Sequence, residues 1–345
     1  MAIGSGLAAQ IGIANETVVN TPVAVTNFNE FDSETLDLRP NFAQGVGLRA
    51  GGLVPREARR VLTSADGGGQ VVMDVTVKNF GKWVQAMMGS YATTATQILS
   101  TTAWQQIHNL GSADGKTFTL QKGIPEVGGT VDPLTFGGCK LNAWQLDAQP
   151  NAICKFTGDV DAMSVQPTGA GALGLQTASY TATNALFAFN QLTVQTFTAY
   201  TVASGIWTPT TPANIGVVRK VTLKGGQPKD LTRWQAGSQT KAEQLVNNFQ
   251  PITGTIDIDY ASTALYTQFA ANTSTGLVFK WTGADQGGGN LATLQLVHPA
   301  VNWEQGSTPK VSGPGIATVS YPFTALDDGV NGALQILIVS SDTTV

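Results

Sequence analysis

Residues Val71 to Ser90, VVMDVTVKNFGKWVQAMMGS, change period part-way along, and this restricts the fold more than any other stretch. Met73, Val75 and Val77 alternate with Asp74, Thr76 and Lys78, the period of two of a strand with one wet face. Phe80, Val84, Met87 and Met88 then recur at helical spacing, with Asn79 placed to cap the helix and Gly89 to end it. The pattern returns at Ile252 to Asn272. There Thr255, Asp257 and Asp259 alternate with Ile256 and Ile258, and Ser262 is placed to cap a helix carrying Leu265 and Phe269. One constant offset pairs Val75 with Ile256, Val77 with Ile258, Val84 with Leu265 and Met88 with Phe269, which points to a duplicated structural unit.

The surroundings repeat as well. In the first copy a short strand, Glu34 to Leu38, leads to a long Gly-rich basic loop, then the strand-helix, the strand Thr117 to Gln121, and a hairpin of 138–148 with 152–162 about Gln149-Pro150-Asn151. In the second, Val218 to Lys224 leads to another long basic loop, the strand-helix, the strand Leu277 to Trp281, and the pair 292–297 and 316–323. A final strand, Leu334 to Val339, either completes the second sheet or pairs with another subunit. The organisation is therefore an arm at residues 1–30, a first β unit at 31–165, bridging strands at 166–215 and a second β unit at 216–345. The fold class is mainly β, with one short flanking helix per unit.

At 345 residues both units can bury a core, but only 12% of residues are charged, about half the usual share. Burial of much of the surface against other copies explains this better than disorder, which goes with few β-branched and aromatic residues. A net charge of -4 argues against gripping nucleic acid by its phosphates. No apolar run reaches membrane-spanning length, and no basic residue precedes the apolar N-terminal part, so neither a membrane span nor a secretory signal is expected. Cys139 and Cys154 lie on opposite arms of the hairpin but out of register, and read as buried free thiols.

Chemistry is sparse. The two histidines, His108 and His298, sit in different halves, away from any Cys or carboxylate cluster in sequence. Gly169 to Gly174 spells the dinucleotide fingerprint, but Pro167 and Thr168 precede it and a Thr-rich stretch follows, where a buried strand and a helix are required. The sequons Asn15-Glu16-Thr17 and Asn272-Thr273-Ser274 are idle without secretion. Asp159 with Asp161, and Asp257 with Asp259, share strand faces at i, i+2, yet no tryptophan adjoins them as a sugar-binding cleft would need. They read as a solvated acidic face. No catalytic residue, cofactor or metal site is expected.

Val71 to Ser90, the passage FTLQKGIP leading to FGGCKLNAWQLDA, and the late HPAVNW with YPFTALDDG together resemble the major tail tube proteins of long-tailed bacteriophages, over most of residues 30–343. The resemblance implies that each unit, 31–165 and 216–345, is a tail-tube-like β-sandwich, and that strands of the subunits join an inter-subunit β-barrel, in rings stacked into a tube through which DNA passes. It implies a virion tail location after assembly in the host cytoplasm. The implied partners are further copies of the chain, a tape-measure protein and genomic DNA in the lumen without specific binding, and tail terminator and tip proteins. Two tail-tube-like folds in one chain favour a ring of three with pseudo-six-fold symmetry over a ring of six. Asp159, Asp161, Asp257 and Asp259 are then expected to face the lumen. The long loops, with Arg49, Arg56, Arg59 and Arg60 in one and Lys224, Lys229, Arg233 and Lys241 in the other, are expected to contact a neighbouring ring; for the first, a merely solvated loop is the other reading. The alternative function is a virion or cell-surface β-sandwich that binds carbohydrate.

Overall fold

A computed structural model describes residues 5–167, 173–181, 184–311 and 313–345. The protein is mainly β, with two short helices among the described residues.

The first half contains β1 (Gln10–Asn15), β2 (Asn27–Phe28), β3 (Ser33–Glu34), β4 (Asp37–Gln44), β5 (Arg60–Asp74), helix α1 (Gly81–Met88), β6 (Ala95–Gln97), β7 (Trp104–Asn109), β8 (Phe118–Pro125), β9 (Val131–Ala148), β10 (Lys155–Ala162) and β11 (Ser164–Gln166). Here β4 pairs with β5, β5 with β10, β10 with β9, β9 with β8 and β8 with β1, all antiparallel. Segment 10–15, read from sequence as part of an arm, is therefore a strand of the fold. Ile11 and Ile13 are fully buried in the main core.

The second half contains β12 (Leu192–Phe197), β13 (Ala199–Ala203), β14 (Ile206–Thr210), β15 (Ala213–Asn214), β16 (Val218–Gly226), β17 (Ile252–Asp259), helix α2 (Ala264–Ala270), β18 (Thr275–Asp285), β19 (Leu291–Trp303), β20 (Thr318–Leu326) and β21 (Gln335–Ser340). The pairing runs from β16 to β17, β20, β19, β18 and β12. The order β5–β10–β9–β8–β1 in one half is thus matched by β17–β20–β19–β18–β12 in the other.

Two seams make one body of these halves. Ala143–Ala148 of β9 pairs with Val221–Gly226 of β16, and β21 pairs with β19 on one side and β7 on the other. The final strand therefore completes the second half and also grips the first. Among the described residues the sheet does not close into a barrel.

Alternation sets the two faces of the central sheet. Val71, Met73, Phe156, Leu146, Leu223, Ile256, Tyr321 and Phe323 are buried, and the residues between them are partly or fully open. In the first half Phe156 packs on Trp83 and Phe80. In the second, Phe323 packs on Phe279, Trp303 and His298.

Helix α1 differs in two respects from the sequence reading. Phe80, not Asn79, is its N-cap residue and makes no side-chain cap; Asn79 has φ 63°, and its amide bonds Thr181. Gly89 does end the helix, at φ 65°. Nor does α1 flank its half from outside: seven of its eight residues are buried. Cys139 and Cys154 are buried and unbridged.

The β9–β16 seam depends on close approach. A Cβ on Gly225 would lie 2.3 Å from the Trp144 ring, and one on Gly226 would lie 2.6 Å from the Asn142 carbonyl oxygen. Gly225→Val should therefore destabilise the protein by roughly 1–3 kcal/mol or more through overpacking. Gly128→Val, at a position with nothing within 4 Å, should be nearly neutral. Urea denaturation of the two variants checks this.

Candidate functional site

The open face of the central sheet is an extended polar surface. Register carries one row across six strands: Asp74, Lys155, Asp147, Thr222, Thr255 and Pro322. A second row runs beside it through Val72, Thr157, Gln145, Lys224, Thr253 and Thr324. On the second half this face hollows into a groove of about 480 Å³ lined by Lys220, Lys224, Thr255, Asp257, Glu304 and Ser320, among others.

Its charges are of both signs, and some of them are paired. Lys155 bridges Asp32 at 2.5 Å and Asp74 at 2.6 Å. Burial works against its charge, but hydrogen bonds to the two carboxylates outweigh that and raise its pKa. Arg219 holds Asp259 through two contacts of 2.7 and 3.1 Å. Asp147 accepts hydrogen bonds from Thr222 and Gln145. Asp159 and Asp257 are half-buried on this face and have no ion-pair partner among the described residues.

Asp161 has the strand parity of Asp159 but does not reach open solvent. Residues 227–251, the connection between β16 and β17, cross the seam and lie over the first half as a strap. Beneath it Asp161 is 5% exposed and meets Lys241 at 2.6 Å, Arg39 at 2.8 Å and Gln244 at 2.9 Å. Lys241 also reaches Asp66 at 2.8 Å, and buried Lys140 pairs with Glu243 at 2.6 Å. The backbone joins in, with the Ala65 N–H donating to the Gln239 carbonyl.

The basic residues expected in inter-ring loops therefore separate into groups. Arg49, Arg56, Arg59 and Arg60 are exposed at the end of the β4–β5 hairpin, with Arg60 stacked over Phe42 at 4.7 Å. Lys224 belongs to β16 and stands on the open face. Lys229 and Lys241 are buried within the chain, and Arg233 donates to the Glu243 carbonyl. The two buried lysines hold the strap down and are not available to a neighbouring ring, whereas the bond of half-buried Arg233 stays within the strap. Lys155, Asp147, Arg39 and Glu243 were not singled out from sequence. The hairpin alternation contained a signal for the first two, whereas the last two are brought to their partners only by tertiary folding.

The histidines are core residues. His108 contacts Ser90 and Gln106, and burial lowers its pKa to about 3. His298 packs between Phe279 and Phe323, and burial lowers its pKa to about 4. Among the described residues no group of His, Cys, Asp and Glu is placed to hold a metal ion. The glycine motif at 169–174 falls mostly outside the described residues.

Lys229 gives the strap a pH signature. Its ammonium donates to the Leu141 and Gln227 carbonyls at 2.7 and 2.8 Å, and burial, with the nearby Lys140 charge, lowers its pKa from 10.5 to about 7. In the unfolded chain the ordinary value returns, so from about pH 7 to 10 the unfolded state binds more protons and stability rises with pH. Lys229→Met should abolish this. Wild type should gain on the variant by up to about 1.4 kcal/mol per pH unit above neutrality, measured by urea unfolding in a pH series.

No helix of the described residues is long and apolar enough to cross a membrane. Comparison with curated proteins gives no match. A family model described as phage tail tube protein matches residues 6–325. With nearly the whole chain inside that match, on a mainly β fold, the protein belongs to the phage tail tube protein family, structural components of the virion tail.

Proposed function

We propose that this protein is the tube-building subunit of the tail, that its two halves are a duplicated tail-tube fold, and that three chains make each ring. The observation that carries this reading is the repeated pairing order, β5–β10–β9–β8–β1 against β17–β20–β19–β18–β12. It extends to single residues. Phe156 lies opposite Met73 and Phe323 opposite Gly254, and Met73 and Gly254 are related by the same offset as Val75 and Ile256. Both phenylalanines are core residues.

Closure between copies follows from sheet physics. One end of the central sheet is β4, whose outer edge has no strand partner among the described residues, and the other end is β20, paired along 318–322 only with β17. Unpaired edges invite addition of a strand, and a closed inter-subunit barrel removes them. The open polar face then lines the lumen. It is rich in threonine and carries charges of both signs, so it offers DNA neither a continuous basic track nor an apolar one. Asp159 and Asp257 are among its carboxylates without an ion-pair partner and keep phosphates at a distance; Asp161 is excluded from that role by its ion pairs.

The β4–β5 hairpin end bears Arg49, Arg56, Arg59 and Arg60 beside exposed Val46, Leu48 and Leu53, and contacts the next ring. The lumen holds the tape-measure protein and then the genome, and terminator and tip proteins close the ends. Assembly takes place in the host cytoplasm.

Electron microscopy of the purified protein tests the reading: stacked rings with three chains each are expected. Six chains per ring overturns the pseudo-six-fold arrangement, and a persistent monomer at all concentrations overturns the tube. Asp159→Lys with Asp257→Lys should leave tubes intact and slow DNA passage; unaltered ejection by virions carrying both changes removes these residues from the lumen.

A further inference from the structure

The two helices occupy matching places in their halves but have very different surroundings. Helix α1 is covered, mostly by β1, β7 and β9 of its own half, and the other half of the chain closes over its start. Strand β21 pairs with β7 beside it, the Asn79 N–H donates to Asp342 at 2.8 Å, Gln106 donates to the Thr344 carbonyl at 3.3 Å, and a Cβ on Gly81 would lie 3.0 Å from Val345. In α2 only Leu265 is buried. Positions 261–264, 267 and 270–274 are exposed.

The uncovered surface does not have the composition of one that stays in water. From Tyr260 to Phe279 the chain contains no Asp, Glu, Lys or Arg, although α2 and both of its flanking segments are open. A solvated helix ordinarily carries charge on its free face. Ala264, Thr267, Ala270 and Ala271 instead present small side chains that let another backbone approach closely.

We infer that the outer face of α2 is an interface with a second copy of this chain, which covers α2 as the C-terminal tail covers the start of α1. The inference rests on the two-half reading proposed above, and the seam inside the chain is its template. Across that seam the half that contributes β16 also sends β21 alongside β7 and the tail to the start of α1 in the half that contributes β9. When the second half presents its β19–β20 edge to another molecule, the neighbour that joins it is a first half, and that first half lies over α2.

Thiol labelling tests this. Thr267→Cys adds one exposed thiol to a chain whose Cys139 and Cys154 are fully buried. Maleimide should modify the new cysteine readily in dissociated chains and at least tenfold more slowly in assembled tubes. Amide exchange of wild type over 264–271 should slow in parallel on assembly. A second variant, Thr267→Arg, should keep the wild-type melting profile and fail to sediment as tubes. Tubes that form with undiminished labelling and exchange at α2, or that form normally with Thr267→Arg, overturn this inference and leave the tube reading standing. A wild-type chain that does not self-associate at any concentration overturns both.

Discussion

The pairing of β9 with β16 is the interaction on which the rest of the architecture depends. It joins sheets from two halves of the chain in one antiparallel register, so polar rows run without a break from Asp74 to Pro322. It also brings Trp144 against Gly225, so tightly that no side chain fits there. The strap at 227–251 begins where β16 leaves this seam, and its ion pairs with Asp161 and Asp66 lock the halves a second time. Strand β21, clamped between β19 and β7, is the third lock.

Buried charge in the strap acts more on geometry than on net stability. Moving Lys241, Asp161 and Lys140 out of water costs several kcal/mol per ion, and close pairing roughly offsets this. What the cluster supplies is selectivity. Only one placement of the strap satisfies Asp161 with Lys241, Arg39 and Gln244 together, and any other leaves a buried charge alone. The same requirement removes Asp161 from the open face.

Much of the fold was legible because periodicity survives in a single sequence. The alternation at 252–259, that at 71–77 as far as Asp74, most of the stripes of α1 and α2 and the hairpin about Pro150 fall on observed elements, and Cys139 and Cys154 are free as read. Features that depend on distant partners were not legible. Gln10–Asn15 is too short and glycine-containing to read as a strand without β8 beside it. Asn79 has the chemistry of a helix cap, but its backbone turns left-handed and its side chain goes to Thr181 instead. Lys229 and Lys241 look like loop residues by their glycine-rich neighbourhood, and nothing local announces that the loop folds back over β9 and β10. The open face was legible in part: i, i+2 spacing placed Asp257 and Asp259 together, while Arg219, which neutralises Asp259, sits at a register shift in β16.

Having both halves on one chain also changes the thermodynamics of the seam. Two separate subunits meeting through six residue pairs would lose translational and rotational freedom for each seam formed. A tether replaces that loss with a local concentration in the millimolar range for short flexible linkers. In the three-chain ring proposed above, alternate seams would be of unequal strength, one formed as the chain folds and the other only at working concentration. The two halves already differ: one keeps its helix inside and is roofed by the strap, and the other leaves its helix bare. A ring built in that way would present two different faces in alternation, an asymmetry that a ring of six identical single-fold subunits cannot have.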